Sequence, residues 1–268
     1  MALSRLDQLE QNSIYIIREA YAKFKNPGIL WSIGKDSTVL LWLARKAFVG
    51  DCPLPLIHID TTFKIPEMIA HRDRIVRDWD LELVVGKNAD ALTEGIHPDQ
   101  GRLECCSALK TEAFRQTVEE HGYDAILLGI RHDEEKSRSK ERIFSVRDAQ
   151  FSWRYKEQPP EIWDQYNTDF PPGSHVRVHP ILAWSEIDIW EYIERENIPV
   201  VTLYYARDGQ RYRSLGCWPC THPIDSDAVT IPEIVAELRT IGKSERAGRA
   251  QDQADAYAMQ KLRAKGYM

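Results

Sequence analysis

Apolar positions divide the first half of the chain into alternating helical and strand-like stretches. Over residues 5–25, Leu6, Leu9, Ile16, Ile17, Ala20 and Phe24 recur at helical spacing, which predicts an amphipathic helix ending before Asn26-Pro27-Gly28. The texture then changes. Residues 28–33 form an apolar run that reads as a strand, 37–48 return to helical spacing, 55–60 (PLIHID) read as a strand, and 66–79 as a helix with Pro66 suited to its first turn. Further strands are predicted at 81–86, 124–130 (DAILLGI) and 176–182, with a helix over 107–121. Apolar strands alternating with helices imply parallel βαβ units. The expected fold class is therefore α/β, an open, mostly parallel sheet with helices on both faces. Ligands of such sheets bind at the carboxyl ends of the strands.

Capping boxes at Ser185/Asp188 and Thr230/Glu233 open two more helices, at 186–196 and 231–241. Between the strands lie two different stretches. Residues 131–148 are highly charged but mixed in sign and read on their own as a solvated loop. Residues 153–172 carry four prolines and several aromatics, an irregular excursion. The expected organisation is a nucleotide-binding α/β domain over 1–200 and a C-terminal extension, 201–268, packed on it.

Composition narrows the field. With 43% hydrophobic and 28% charged residues the chain has an ordinary globular balance, which excludes disordered and fibrous classes. A formal net charge of −6 argues against coating nucleic acid through bulk positive charge, so any such affinity must be local. Residues 239–268 offer one basic stretch, with seven Lys/Arg against three Asp/Glu. No run approaches roughly 20 apolar residues and the start lacks the apolar core of a signal peptide, so a cytoplasmic protein with no membrane partner is expected. Five cysteines at these spacings are unlike a secreted disulfide scaffold and point to metal or redox chemistry instead.

The chemistry is densest at Ser32-Ile33-Gly34-Lys35-Asp36-Ser37, at the predicted strand-to-helix junction. Unpaired N–H groups and the helix dipole make such a turn an anion site, and Lys35 adds charge. A Walker loop needs four residues between its glycines and a hydroxyl after the lysine. Here five residues separate Gly28 from Gly34 and Asp36 follows Lys35. The motif S-x-G-K-D-S resembles the PP-loop of the ATP pyrophosphatases, which split ATP between its α and β phosphates. That resemblance implies nucleotide binding by Ser32, Gly34, Lys35, Asp36 and Ser37, with ATP and magnesium as cofactors.

IHIDTTFKIPEM at 57–68 resembles the 3′-phosphoadenylyl-sulfate reductase family, adding Asp60 and Thr61 near the nucleotide. LGIRHDEEKSRSKERIFSVRD at 128–148, GCWPCT at 216–221, SERAGR and KLRAKGY resemble the small subunit of bacterial sulfate adenylyltransferase. On that likeness Gly129 and Arg131 face the nucleotide, the charged stretch becomes a lid, and Lys35, Asp36 and Arg131 are the expected catalytic residues. Asp36 and Asp60 are the candidate magnesium ligands, since a hard cation takes oxygen donors. His58 reads as a strand residue.

Cys105-Cys106 and Cys217-Trp218-Pro219-Cys220 form two close pairs, the ligand set of an iron–sulfur cluster or a structural zinc. CCSALKTEAF and YRSLGCWPCT resemble the assimilatory adenylyl-sulfate reductases, in which four such cysteines hold a 4Fe-4S cluster; Cys52 reads as structural. Those reductases also use a C-terminal nucleophilic cysteine, and no cysteine follows Cys220. Two functions are therefore expected to compete. One is sulfur insertion into an adenylated acceptor, of the DNA phosphorothioation or tRNA thiolation type, supplied by a cysteine desulfurase. The alternative is sulfate adenylation with a GTPase large subunit. The four cysteines tilt the expectation towards sulfur insertion.

Overall fold

A computed structural model describes residues 3–163, 165–241 and 245. Helix α1 (Arg5–Lys23) opens with Ser4 Oγ accepting from the Asp7 N–H and the Asp7 carboxylate accepting from the Ser4 N–H, and it buries Ser13, Ile16, Ile17 and Ala20. Strand β1 (Pro27–Leu30) feeds α2 (Lys35–Ala47), β2 (Leu56–Ile59) feeds α3 (Pro66–Asp78), and β3 (Leu83–Gly86) leads into the short α4 (Ala89–Thr93). After α5 (Arg102–Cys106) come α6 (Ala113–His121), β4 (Ala125–Leu128), β5 (Phe144–Arg147), β6 (His175–Val178), α7 (Glu186–Glu196) and α8 (Ile231–Thr240). A two-stranded antiparallel ribbon, β7 (Gln210–Arg211) with β8 (Ile224–Asp225), lies between the last two helices in sequence.

Six strands form one sheet in the order β3-β2-β1-β4-β6-β5. All neighbours run parallel except β5, which is antiparallel to β6 at the edge. Side chains alternate across the sheet. Ile29, Leu56, Leu127 and Val176 join a core with Ile17 of α1, Leu40 of α2, Met68 of α3 and Trp190 of α7. Leu30, Ile57, Ile126 and Leu128 pack on the opposite face against Ala113, Phe114 and Val118 of α6. The chain moves from β1 outward to β3 and then returns to lay β4 on the other side of β1. That reversal opens a crevice beyond the carboxyl ends of β1 and β4.

Three expectations need correction. The helix predicted over 107–121 is α only from Ala113; Ser107–Glu112 is a π-helical turn joining α5 to α6, in which Thr111 Oγ1 donates to the Cys106 carbonyl at 3.4 Å. The charged stretch is not simply a lid, because its distal part is strand β5. There Arg147 is fully buried against Glu141 at 3.0 Å, so charge signals solvent only until a counter-charge is buried with it. The strand expected over 176–182 stops at Val178, ahead of Pro180, which has no N–H to give the ladder.

Residues after 200 add Val201, Tyr204, Leu215, Ile234 and Leu238 to the first core. The basic stretch over 239–268, with its SERAGR and KLRAKGY segments, lies outside the described residues apart from Arg239, Thr240, Ile241 and Glu245. Among the described residues no helix is long and apolar enough to cross a membrane.

Four buried histidines give the fold a pH signature. Burial pushes His58 and His71 down to about 4, His179 to about 3 and His175 to about 2, against an ordinary 6.5. They stay neutral in the folded state while the unfolded chain takes up protons below 6.5. The stability they contribute is complete above that pH and is lost as pH falls, at up to about 1.4 kcal/mol per unit for each. Urea midpoints are expected to drop steeply between pH 7 and pH 5, and a flat profile would contradict these neutral, buried states.

Candidate functional site

The crevice contains a cavity of about 170 Å³ lined by the ends of β1, β2 and β4, the start of α2, and residues 214–216. Six residues singled out from the sequence line it: Ser32, Gly34, Lys35, Asp36, Ser37 and Gly129. The loop into α2 is tightly built. Ile33 takes φ 68°, a left-handed conformation that costs a β-branched residue on the order of 1–3 kcal/mol. Gly34 is the N-cap and supplies no side-chain cap; Ser37 Oγ and Thr38 Oγ1 donate to its carbonyl at 3.1 and 2.9 Å. Ser32 and Ser37 hydroxyls meet at 3.0 Å. The Lys35 N–H donates to the Tyr204 hydroxyl at 2.8 Å, which ties the turn to the segment after α7.

Lys35 and Arg131 are almost wholly buried and held in one network of charge. Lys35 Nζ pairs with Glu245, stands 3.6 Å from both Asp36 and Glu186, and donates to the Arg213 carbonyl at 3.2 Å. Arg131 pairs with Asp36 and Glu245 and reaches Asp133 at 3.1 Å. Burial opposes the charge on Lys35, but Asp36, Glu245 and Glu186 outweigh it and hold the ammonium above the usual lysine range. For Asp36 burial prevails over Arg131 and Lys35, and its carboxyl is pushed up to about 6. Burial likewise raises the Tyr204 hydroxyl to about 12, so it stays protonated. Lys35 and Arg131, each already paired with carboxylates, stand beside the amino end of a helix, and Lys64, Lys110 and Arg138 line the same cavity, donors of the kind polyanions take.

Asp60 and Thr61 are turned elsewhere. The Asp60 carboxylate pairs with Lys87 at 2.9 Å and accepts from the Thr62 N–H, while Thr61 Oγ1 lies 3.2 Å from Cys217 Sγ. Cys105 and Cys106 end α5, and the 217–220 turn is laid beside the loop after β2 by a Lys64–Cys217 bridge and a bond from the Trp218 N–H to the Phe63 carbonyl. All four cysteines are buried. Burial and the neighbouring Cys106, Cys217 and Cys220 thiols push Cys105 up to about 12, so the quartet shares one place. Lys110, in the π turn, reaches both that place and the cavity wall. Four thiols are a donor set for a soft metal or cluster. Among the described residues, however, no three Cys, His, Asp or Glu side chains stand in ligating geometry.

Sequence reasoning missed Glu186, Tyr204, Arg213 and Glu245. Only the third dimension pairs them with Lys35, across 151 to 210 positions of chain. Two signals touched them: the capping box that fixes the start of α7, where Glu186 is the first residue, and the SERAGR segment, which contains Glu245.

Comparison with known proteins places the chain in a family. The chain is 45% identical to sulfate adenylyltransferase subunit 2 of Rhizobium sp. (strain BR816), over all of both chains. It is 44% identical to the protein of that name from Geotalea daltonii, over 99% of this chain and 98% of that one. The first alignment runs over 298 positions against 268 residues here, so that relative carries inserted residues. Among solved structures, FMN adenylyltransferase of Candida glabrata superposes with TM-score 0.60 over 100% of this chain and 87% of that one, at 18% identity. Phosphoadenylyl-sulfate reductase of Candida auris does so with TM-score 0.56 over 83% and 99%, also at 18% identity. These two likenesses concern the fold. The phosphoadenosine phosphosulfate reductase domain matches residues 26–223, and the chain belongs to that family.

Proposed function

We propose that the protein adenylates sulfate, converting ATP and sulfate to adenylyl sulfate and pyrophosphate as the small subunit of a two-component enzyme. The observation that carries this reading is full-length similarity to sulfate adenylyltransferase subunit 2 in a chain whose Lys35–Arg131 site suits a pyrophosphate. A sulfate oxygen forms the new bond to the α phosphorus, the α–β bridging bond breaks, and no proton need move. Lys35, Arg131 and the amino end of α2 stabilise the charge arriving on the departing pyrophosphate. Asp36 and Glu134 line the cavity with the oxygen donors that a magnesium ion takes. When bound, that ion would neutralise polyphosphate charge. A GTPase large subunit is the partner this reading implies.

A second reading keeps the same first step but transfers sulfur to an adenylated nucleic acid, with a cysteine desulfurase as donor. The buried thiol quartet beside Thr61 favours it, since sulfate adenylation has no use for four cysteines. Cys105, Cys106, Cys217 and Cys220 would hold a 4Fe-4S cluster, which would supply sulfur or electron transfer once the sulfurs close around it.

One experiment separates the two. Pyrophosphate release is measured with sulfate, tRNA and DNA in parallel, with and without a desulfurase and the large subunit, on anaerobically purified protein assayed for iron and acid-labile sulfide. Release that depends on sulfate is the expected result. Release that depends on nucleic acid and desulfurase, from protein containing iron and sulfide, would replace the first reading by the second.

A further inference from the structure

Glu245 bridges the two buried cations of the site. Its Oε1 takes Lys35 Nζ and its Oε2 takes Arg131 Nη2, so one carboxylate bridges the two cations of the site as a phosphate oxygen pair would. The residue is buried, as are both of its partners. Other carboxylates crowd the pair. Asp36 and Glu186 face Lys35, Asp36 and Asp133 face Arg131, and Arg213 sits on Glu186 at 2.7 Å. Lys64, Lys110 and Arg138 also line the cavity, but a polyphosphate that uses Lys35 and Arg131 must compete with the carboxylates already on them. The carboxylate that meets that competition most directly is one held by hydrogen bonds to both cations. Asp36 is fixed in the first turn of α2, and Glu186 in the first turn of α7, where the Asp133 carboxylate accepts from its N–H. Among these carboxylates only Glu245 hydrogen-bonds both cations.

From this geometry we infer that Glu245 is a built-in competitor for the phosphate site, displaced from Lys35 and Arg131 when the nucleotide or pyrophosphate binds. The inference rests on the reading of Lys35 and Arg131 as the phosphate-binding cations. It makes the anion affinity of the site a difference between two occupants, and it keeps both cations neutralised while the site is empty.

Calorimetric titration with inorganic pyrophosphate and magnesium tests it on the full-length chain. Glu245→Gln keeps the size of the side chain and removes its charge, and is expected to tighten pyrophosphate binding by about ten- to a hundredfold, the range for losing one charged hydrogen-bonding competitor. Asp133→Asn removes a negative charge from beside Arg131 without vacating the bridging position, and is expected to change affinity by much less. Equal tightening in the two variants would mean that general charge alone is at work, and unchanged or weaker binding in Glu245→Gln would make Glu245 a positioning residue; either result overturns the inference. The charge-balanced double variant Lys35→Met, Glu245→Gln checks the foundation. If it binds pyrophosphate as tightly as Glu245→Gln, the phosphate-site reading fails; if it loses binding while Glu245→Gln matches the unmodified protein, only the competitor role fails.

Discussion

Lys35→Met is expected to lower pyrophosphate release by at least about 10²-fold, the usual loss when one fixed charge or donor facing a developing anion is removed. It should also destabilise the protein, by about 3–5 kcal/mol, because Glu245, Asp36 and Glu186 are then left around a buried space with one cation fewer. The two effects can be told apart. Adding Glu245→Gln removes the orphaned carboxylate, so the double variant should recover much of the lost stability and none of the activity. Urea titration and a pyrophosphate assay on the three proteins check both halves. Activity near the unmodified level in Lys35→Met would take the loop out of the chemistry.

Gly129→Ala should disturb the site without touching a charge. A Cβ there would stand 2.7 Å from both Cα and N of Ser37 and 2.9 Å from the Asp36 carbonyl carbon. Those are backbone atoms, so the strand end and the first turn of α2 must part. Overpacking of this kind costs about 1–3 kcal/mol. Activity should fall by about 10²-fold, since a shift of that size moves Lys35 and the helix amides away from the phosphates. Far-ultraviolet circular dichroism would establish that the variant is folded, and full activity in a folded variant would show that the close approach of β4 to the loop has no functional weight.

Legibility of the sequence followed the range of the forces involved. Strands β1, β2 and β4 and helices α2, α3 and α7 were readable because periodicity and capping act within a few residues. The loop at 32–37 was readable for the same reason. Strand β5 was not, since Arg147 and Glu141 look solvated until their pairing in the interior is seen. Asp60 and Thr61 carry the right residue types for a nucleotide site, but Lys87 and Cys217 claim them, and neither competitor is visible from the motif itself. The cysteine pairs stand out by spacing, yet among the described residues no three of them stand in ligating geometry. Their pull towards sulfur insertion outweighed the near-continuous likeness to sulfate adenylyltransferase subunits, which full-length similarity now favours.

The 210-residue separation between Lys35 and Glu245 has a consequence for how the molecule is made. Contacts that distant in sequence form late, after local helices and hairpins have closed. During synthesis the loop at 32–37 emerges with its lysine solvated and only Asp36 beside it, and the further counter-charges at 186 and 245 follow with the last third of the chain. A nascent protein therefore holds this loop open and solvated, and completing the chain is what buries it.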